Sequence, residues 1–165
     1  MLTASGRTLT GYAAVFEQET RILGVVEVIR RGAFTASLAA KGDVVALVDH
    51  DPARLLARTK SGSLRLEEDT RGLRFSLDVP DTQAGRDCLA LAERGDLGGC
   101  SFGFIVSPGG EVWSGGGNDK RRELRAVNLL EISIISTWPA YAGTSVQARA
   151  LTPRLAAALR WLETV

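Results

Sequence analysis

The chain contains a single histidine, His50, and that one count restricts its chemistry. Any Ser–His or Cys–His catalysis must use it, and a site with two imidazole ligands cannot be built from one copy. His50 lies in VDHDP, at the end of an apolar stretch. A neutral imidazole there can act as a general base toward a hydroxyl. It can equally be a surface side chain hydrogen-bonded beside Asp49 and Asp51. A metal site made of Asp49, His50 and Asp51 is disfavoured, because neighbouring side chains in extended backbone point apart.

The hydroxyl that could partner His50 is Ser101, in GGCSFGF. Alternation along a strand puts Cys100, Phe102, Phe104 and Val106 on one face, a core face by composition. Gly99, Ser101, Gly103 and Ile105 then share the other. Glycines on both sides of Ser101 predict a cleared face onto which another backbone, such as a peptide substrate, can come close. The competing interpretation is a strand bend packed under a helix, with serine as a small filler. Cys100 is the rival nucleophile, but parity sends it into the aromatic core, where a thiol is inert.

A third polar group stands out in NLLEISIIS. Simple alternation puts Leu130, Ile132 and Ile134 on one face and Leu129, Glu131, Ser133 and Ile135 on the other. A carboxylate amid such residues needs a donor if it is buried. An imidazole N–H would serve and would fix the histidine tautomer. If the strand is half exposed, Glu131 simply faces solvent. Spacing along the chain does not decide, because such trios are defined by geometry and not by order.

These residues must be carried by strands. TLTGYAAVFEQ and VVEVIRRGAF read as strands, the second turning at Gly32. FTASLAAKG (34–42) reads as a short helix ended by Gly42, and DVVALVDHDP (43–52) as a doubly buried strand stopped by Asp51-Pro52. GLRFSLDVP (72–80) alternates, with Leu73, Phe75, Leu77 and Val79 inward. A helix follows from Asp81 or Thr82 to Gly95, with Ala84, Cys88, Leu91 and Ala92 as its apolar stripe. WSGGGNDKRRE (113–123) reads as a mobile glycine-rich loop tip, LRAVNLLEISIIS (124–136) as one long strand and SVQAR (145–149) as a closing strand. Residues 153–165 read as a C-terminal helix with Pro153 in its first turn.

Many short strands with a few helices predict a mainly β, α+β fold, a β-barrel or strongly bent sheet covered by helices. The length fits one domain, and 45% hydrophobic residues with 18 glycines fit a globular, turn-rich chain. Twenty basic and nineteen acidic residues nearly cancel, so no global field favours nucleic acid or an anionic membrane. Two cysteines, Cys88 and Cys100, make no metal or redox motif, and the N-terminus lacks a signal-peptide pattern. The expected compartment is cytoplasmic, and no cofactor or metal is expected.

The order of motifs adds a resemblance. GYAAVFE, EVIRRGAF, VDHDPARLLART, GLRFSLDVPDTQAGRDCLALAERGDLGGCSFGF and LLEISIISTWPAYAGTSV follow one another over residues 8–149. This resembles the tailed-phage prohead protease family, the capsid maturation serine proteases of the HK97 type. The resemblance implies a fold similar to the herpesvirus assemblins: a small, mostly antiparallel β-barrel wrapped by helices. It implies a protease domain over 1–150; the C-terminal segment 151–165 lies outside the matched stretch and reads as a helix that packs on the domain or docks a partner.

By the same resemblance the family's histidine falls on His50, its serine on Ser101 and its acidic third member on Glu131, with Asp49 and Asp51 as competitors. The assemblins use a second histidine as third member, which this chain does not have. The implied activity is cleavage of the scaffold, or delta, segment of the major capsid protein and of the protease itself. The implied place is the bacterial cytoplasm, inside the assembling procapsid of a phage or of a phage-derived particle such as a gene transfer agent. A homodimer is compatible with this, and the glycine turns at 98–99 and 109–110 are candidates for an oxyanion site. The alternatives are a non-enzymatic capsid-assembly module on the same fold and a general cytoplasmic peptidase.

Overall fold

In the computed structural model, residues 3–5, 7–137 and 146–150 are described, with the backbone alone for 3–5, 118 and 146–150. The fold is mostly strand with few helices, an α+β arrangement. The strands are β1 (Thr3–Ser5), β2 (Thr8–Val15), β3 (Thr20–Ile22), β4 (Val25–Ile29), β5 (Val45–Val48), β6 (Asp51–Arg58), β7 (Leu64–Glu68) and β8 (Gly72–Asp78). They continue with β9 (Gly99–Val106), β10 (Glu111–Ser114), β11 (Arg121–Leu124), β12 (Val127–Ile135) and β13 (Val146–Ala150). The helices are α1 (Thr35–Ala39) and α2 (Gln83–Arg94). The C-terminal helix expected over 153–165 lies outside the described residues.

The strands form three sheets, in the orders β1-β2-β8-β7, β10-β11-β4-β3 and β13-β9-β12-β5-β6. Among the described residues they do not close into a barrel, so the expected barrel is replaced by packed open sheets. Most pairings are antiparallel, as expected, but β4–β11, β5–β12 and β9–β13 are parallel. The first sheet turns Leu9, Leu73, Phe75 and Leu77 inward, and the third answers with Phe102, Phe104, Ile132, Ile134, Ala46 and Val48. Phe34, just before α1, sits edge-on to Phe102 with ring centroids 5.4 Å apart, and Phe102 stacks on Phe104 at 5.2 Å. Alternation thus holds on β8 and β9, where one face supplies the core.

Several elements depart from the sequence reading for local physical reasons. The expected strand over 124–136 is β12 only from Val127; its first residue, Leu124, ends β11 instead, because the chain leaves the second sheet after Leu124 and enters the third at Val127. The crossing is held by Val127 N–H donating to the Ala33 carbonyl and Arg125 N–H to that of Gly110. The 113–123 stretch is no loose tip: β10 and β11 pair in register from Glu111↔Leu124 to Ser114↔Arg121. Arg122 anchors that hairpin, reaching Glu111 at 2.6 Å and Glu27 at 3.0 Å. Burial pushes the Glu27 carboxyl up, and the Arg122 guanidinium partly offsets it.

Helix α2 begins where expected, with Thr82 Oγ1 accepting from Gly85 N–H, and ends at Gly95 in the left-handed region at φ 75°. Its buried side is Gly85, Cys88 and Leu89, one step round from the predicted Ala84–Leu91 stripe. Helix α1 stops sooner than expected, with Lys41 rather than Gly42 left-handed. Among the described residues no helix is long and apolar enough to cross a membrane.

Phe102 is fully buried at the junction of the rings and the two sheets. We expect Phe102→Ala to lower the unfolding free energy by about 3–5 kcal/mol in urea titrations. Ile105→Ser, on the opposite face of β9 and 52% exposed, should change it by less than about 0.5 kcal/mol. Similar losses in both would contradict this assignment of faces.

Candidate active site

The site is assembled on the third sheet, whose inner strands β9, β12 and β5 lie side by side. Register pairs Ser101 with Ser133 and Gly103 with Glu131 across β9 and β12. The two residues of each pair project from the same face of the sheet, opposite the phenylalanine core. On its other side β12 runs parallel to β5, which ends at Val48 and delivers His50 two residues later.

Parity alone would have put Leu129 on the Glu131 face. Instead β12 has a bulge between Leu129 and Glu131, so that Leu129 pairs with Phe104 and joins the core. The bulge leaves Leu130 half-buried. It lets a single strand turn Leu129 inward at one end and Glu131 and Ser133 to the site at the other.

His50 sits in a two-residue hairpin turn, since Val48 pairs with Asp51. The strand therefore turns at Asp49-His50 and not at Asp51-Pro52 as the sequence was read. Both turn residues are left-handed, Asp49 at φ 53° and His50 at φ 58°. That is the backbone of the turn that joins strands best, but it is costly for side chains other than glycine or asparagine. Contacts specific to this site offset the cost. Asp49 N–H donates to the Ile134 carbonyl at 3.0 Å, and His50 N–H donates to Ser133 Oγ at 3.0 Å. The Asp49 carboxylate accepts from Ser136 N–H at 2.7 Å, Ser136 Oγ at 2.8 Å and Arg54 at 3.0 Å. Asp51 accepts from Ala53 N–H at 2.9 Å. Neither aspartate, the sequence competitors of Glu131, is hydrogen-bonded to the imidazole in this arrangement.

The turn brings the imidazole between the other two residues. His50 Nδ1 lies 2.6 Å from Glu131 Oε1, and His50 Nε2 lies 3.0 Å from Ser101 Oγ. Glu131 is 1% exposed and Ser101 fully buried. The second carboxylate oxygen of Glu131 accepts from Ser133 Oγ at 2.8 Å. His50, Ser101 and Glu131, separately picked out from the sequence, thus form one hydrogen-bonded line. Chemically, such a line can relay a proton from a hydroxyl to an imidazole held in one tautomer by a carboxylate.

Two expectations are corrected here. The face around Ser101 is not cleared: Ser101 has no solvent exposure, and the backbone of β13 lies beside β9 with Gln147 opposite Ser101. Nor is Gly103 room for a substrate. A Cβ there would fall 2.6 Å from Glu131 Oε1 and 2.9 Å from its Cγ, so the missing side chain makes room for the carboxylate. In the candidate oxyanion turns 98–99 and 109–110, the first and last amides are engaged by the backbone. Gly98 N–H donates to the Ile135 carbonyl and Gly110 N–H to that of Ser107. The 109–110 turn also lies beyond the far end of β9.

Cys100 faces the core as expected, and burial pushes its thiol well above the ordinary range; burial takes Cys88 up to about 11. Ser133 and Ser136 were not expected in the site, and Asp49 was expected there only as a competitor of Glu131. Ser133 was within reach of a sequence reading, since a hydroxyl two residues along from a buried carboxylate shares its face. The Asp49–Ser136 clasp joins two elements far apart in the chain and left no local signal.

A family model described as caudovirus prohead serine protease matches residues 2–156 of the 165. The chain belongs to that family. Family membership implies a serine protease of capsid maturation, acting on a capsid protein within the phage prohead. No curated protein and no solved structure matches the chain.

With a single histidine, the Nδ1–H···Glu131 bond is directly observable by proton NMR. We expect one strongly downfield imidazole N–H resonance, absent in Glu131→Ala. It should shift upfield in Gly103→Ala, where the new methyl displaces the carboxylate. An unmoved resonance in Gly103→Ala would show that the glycine does not set the position of Glu131.

Proposed function

We propose that this chain is the maturation endopeptidase of a phage, or of a phage-derived particle, with Ser101 as nucleophile, His50 as general base and Glu131 as the acid that orients it. The observation that carries this reading is the continuous line from Ser101 Oγ through both nitrogens of His50 to Glu131. Ser101 Oγ attacks a peptide carbonyl as His50 Nε2 takes its proton. The Glu131 carboxylate keeps the Nδ1–H tautomer and stabilises the imidazolium that forms. His50 then protonates the departing amine, and a water activated the same way releases the acyl group.

The substrates in this reading are the scaffold, or delta, segment of the major capsid protein and the protease chain itself. In this reading the protease domain is assigned to 1–150, and the C-terminal helix expected over 151–165, as packing element or docking segment, lies outside the described residues. The likeness to the herpesvirus assemblins belongs to the same proposal and rests on the family resemblance. Because Ser101 is fully buried, a peptide carbonyl must first gain access to Oγ, which fits an enzyme held back until the procapsid has assembled.

That same burial is the one observation favouring a second reading, a non-enzymatic assembly module on this fold. Co-expression with the cognate major capsid protein, followed by mass spectrometry of the particles, separates the two. The wild-type chain should shorten the capsid protein, and Ser101→Ala and His50→Ala should each leave it at full length. In a purified assay these replacements should lower kcat by about 10⁴-fold or more. Equal processing by wild type and Ser101→Ala would remove Ser101 from the mechanism. Normal particles with no processing by either would favour the assembly module.

A further inference from the structure

Ser133 takes no part in the Ser101–His50 side-chain bond, yet its side chain reaches both the His50 backbone and the Glu131 carboxylate. Its Oγ lies 3.0 Å from the His50 backbone N and 2.8 Å from Glu131 Oε2, and the residue is fully buried. The proton arrangement follows from what each group can do. A backbone N–H only donates, so Ser133 Oγ accepts from it. The single Ser133 proton then points to Glu131 Oε2, because an ionised carboxylate only accepts. That leaves Glu131 Oε1 for the Nδ1–H of His50, and in the neutral imidazole Nε2 then bears the lone pair that faces Ser101 Oγ.

We propose that Ser133 is the positioning residue of this site, one hydroxyl that sets both the rotamer of the acid and the backbone of the histidine turn. This rests on the assignment of Ser101, His50 and Glu131 given above. The second carboxylate oxygen would otherwise be an unsatisfied buried acceptor, free to swing about its Cγ–Cδ bond and carry Oε1 off the imidazole. The His50 N–H would lose its acceptor at the point where the turn is left-handed. Ser133 touches no reacting atom; it acts through Glu131 and the His50 backbone.

The test is a double-mutant cycle on the full-length chain, with cleavage of the assembled capsid protein and labelling of Ser101 by a fluorophosphonate as readouts. Ser133→Ala should lower kcat by about 10- to 100-fold with KM nearly unchanged. In a Glu131→Ala background the same replacement should cost clearly less than it does in the wild type, because one of the two groups it positions is gone and only the His50 turn remains. Ser133→Cys, close in size but a poor donor, serves if the alanine variant does not fold. In either variant the downfield His50 N–H resonance should shift upfield. Unchanged kcat, or an undiminished loss in the Glu131→Ala background, would overturn the proposal. So would an unmoved resonance. Ser101→Ala run in parallel keeps the outcomes apart. If it cleaves normally, the assignment of Ser101 fails, whereas Ser101-dependent cleavage with a silent Ser133→Ala fails only the role of Ser133.

Discussion

Glu131 carries a carboxylate into the middle of a five-stranded sheet, where it is 1% exposed. An unpaired charge there would cost several kcal/mol, so the fold must bring donors to it. Two arrive, the imidazole of His50 and the hydroxyl of Ser133. Much of the local irregularity serves that meeting. The bulge in β12 turns Glu131 to this face while Leu129 stays in the core. The left-handed pair at 49–50 swings His50 back over the sheet. Gly103 leaves the space into which the carboxylate fits. A buried charge seldom stabilises a fold by itself, and here it reads better as a device for holding a geometry.

The rest of the molecule is the frame that makes this arrangement stiff. β9 and β12 share a ladder in which one face is phenylalanine and isoleucine and the other is the site. The aromatic contacts behind Ser101, from Phe34 through Phe102 to Phe104, fix the backbone of the strand that carries it. Because side chains alternate, close packing behind the strand and precise placement in front of it are one constraint. The second sheet contributes nothing to the hydrogen-bonded line, but its β4–β11 pairing leads the chain into β12.

The sequence made the regular parts legible. β8 alternates without interruption, and its inward and outward residues could be named in advance; so could the core face of β9 and the caps of α2. The lone histidine and the polar residues at 101 and 131 were legible as a set of types. What was not legible came from irregular backbone. A bulge changes parity within one residue, so the Leu129–Leu130 assignment failed. The crossing at 125–126 carries no glycine or proline to announce it, so the expected strand starts at Leu124, the last residue of β11, and runs across the crossing into β12. An Asp-His turn mimics no common hairpin signal, so the turn was placed at the proline. The clearing around Ser101 failed for a different reason: a glycine says that something comes close without saying what. At 103 the close neighbour is a side chain of the next strand and not a ligand.

Gly103 and Glu131 are therefore a size-matched pair, and that has a consequence for variation among related chains. A larger residue at 103 and the full-length glutamate at 131 cannot coexist without moving the carboxylate. A shorter acid at 131 would release the space, allowing alanine at 103 in the same chain. The two positions should drift together or not at all. A related sequence that keeps serine and histidine but breaks the pair on one side only would mark a copy whose proton relay has been abandoned while its scaffold persists.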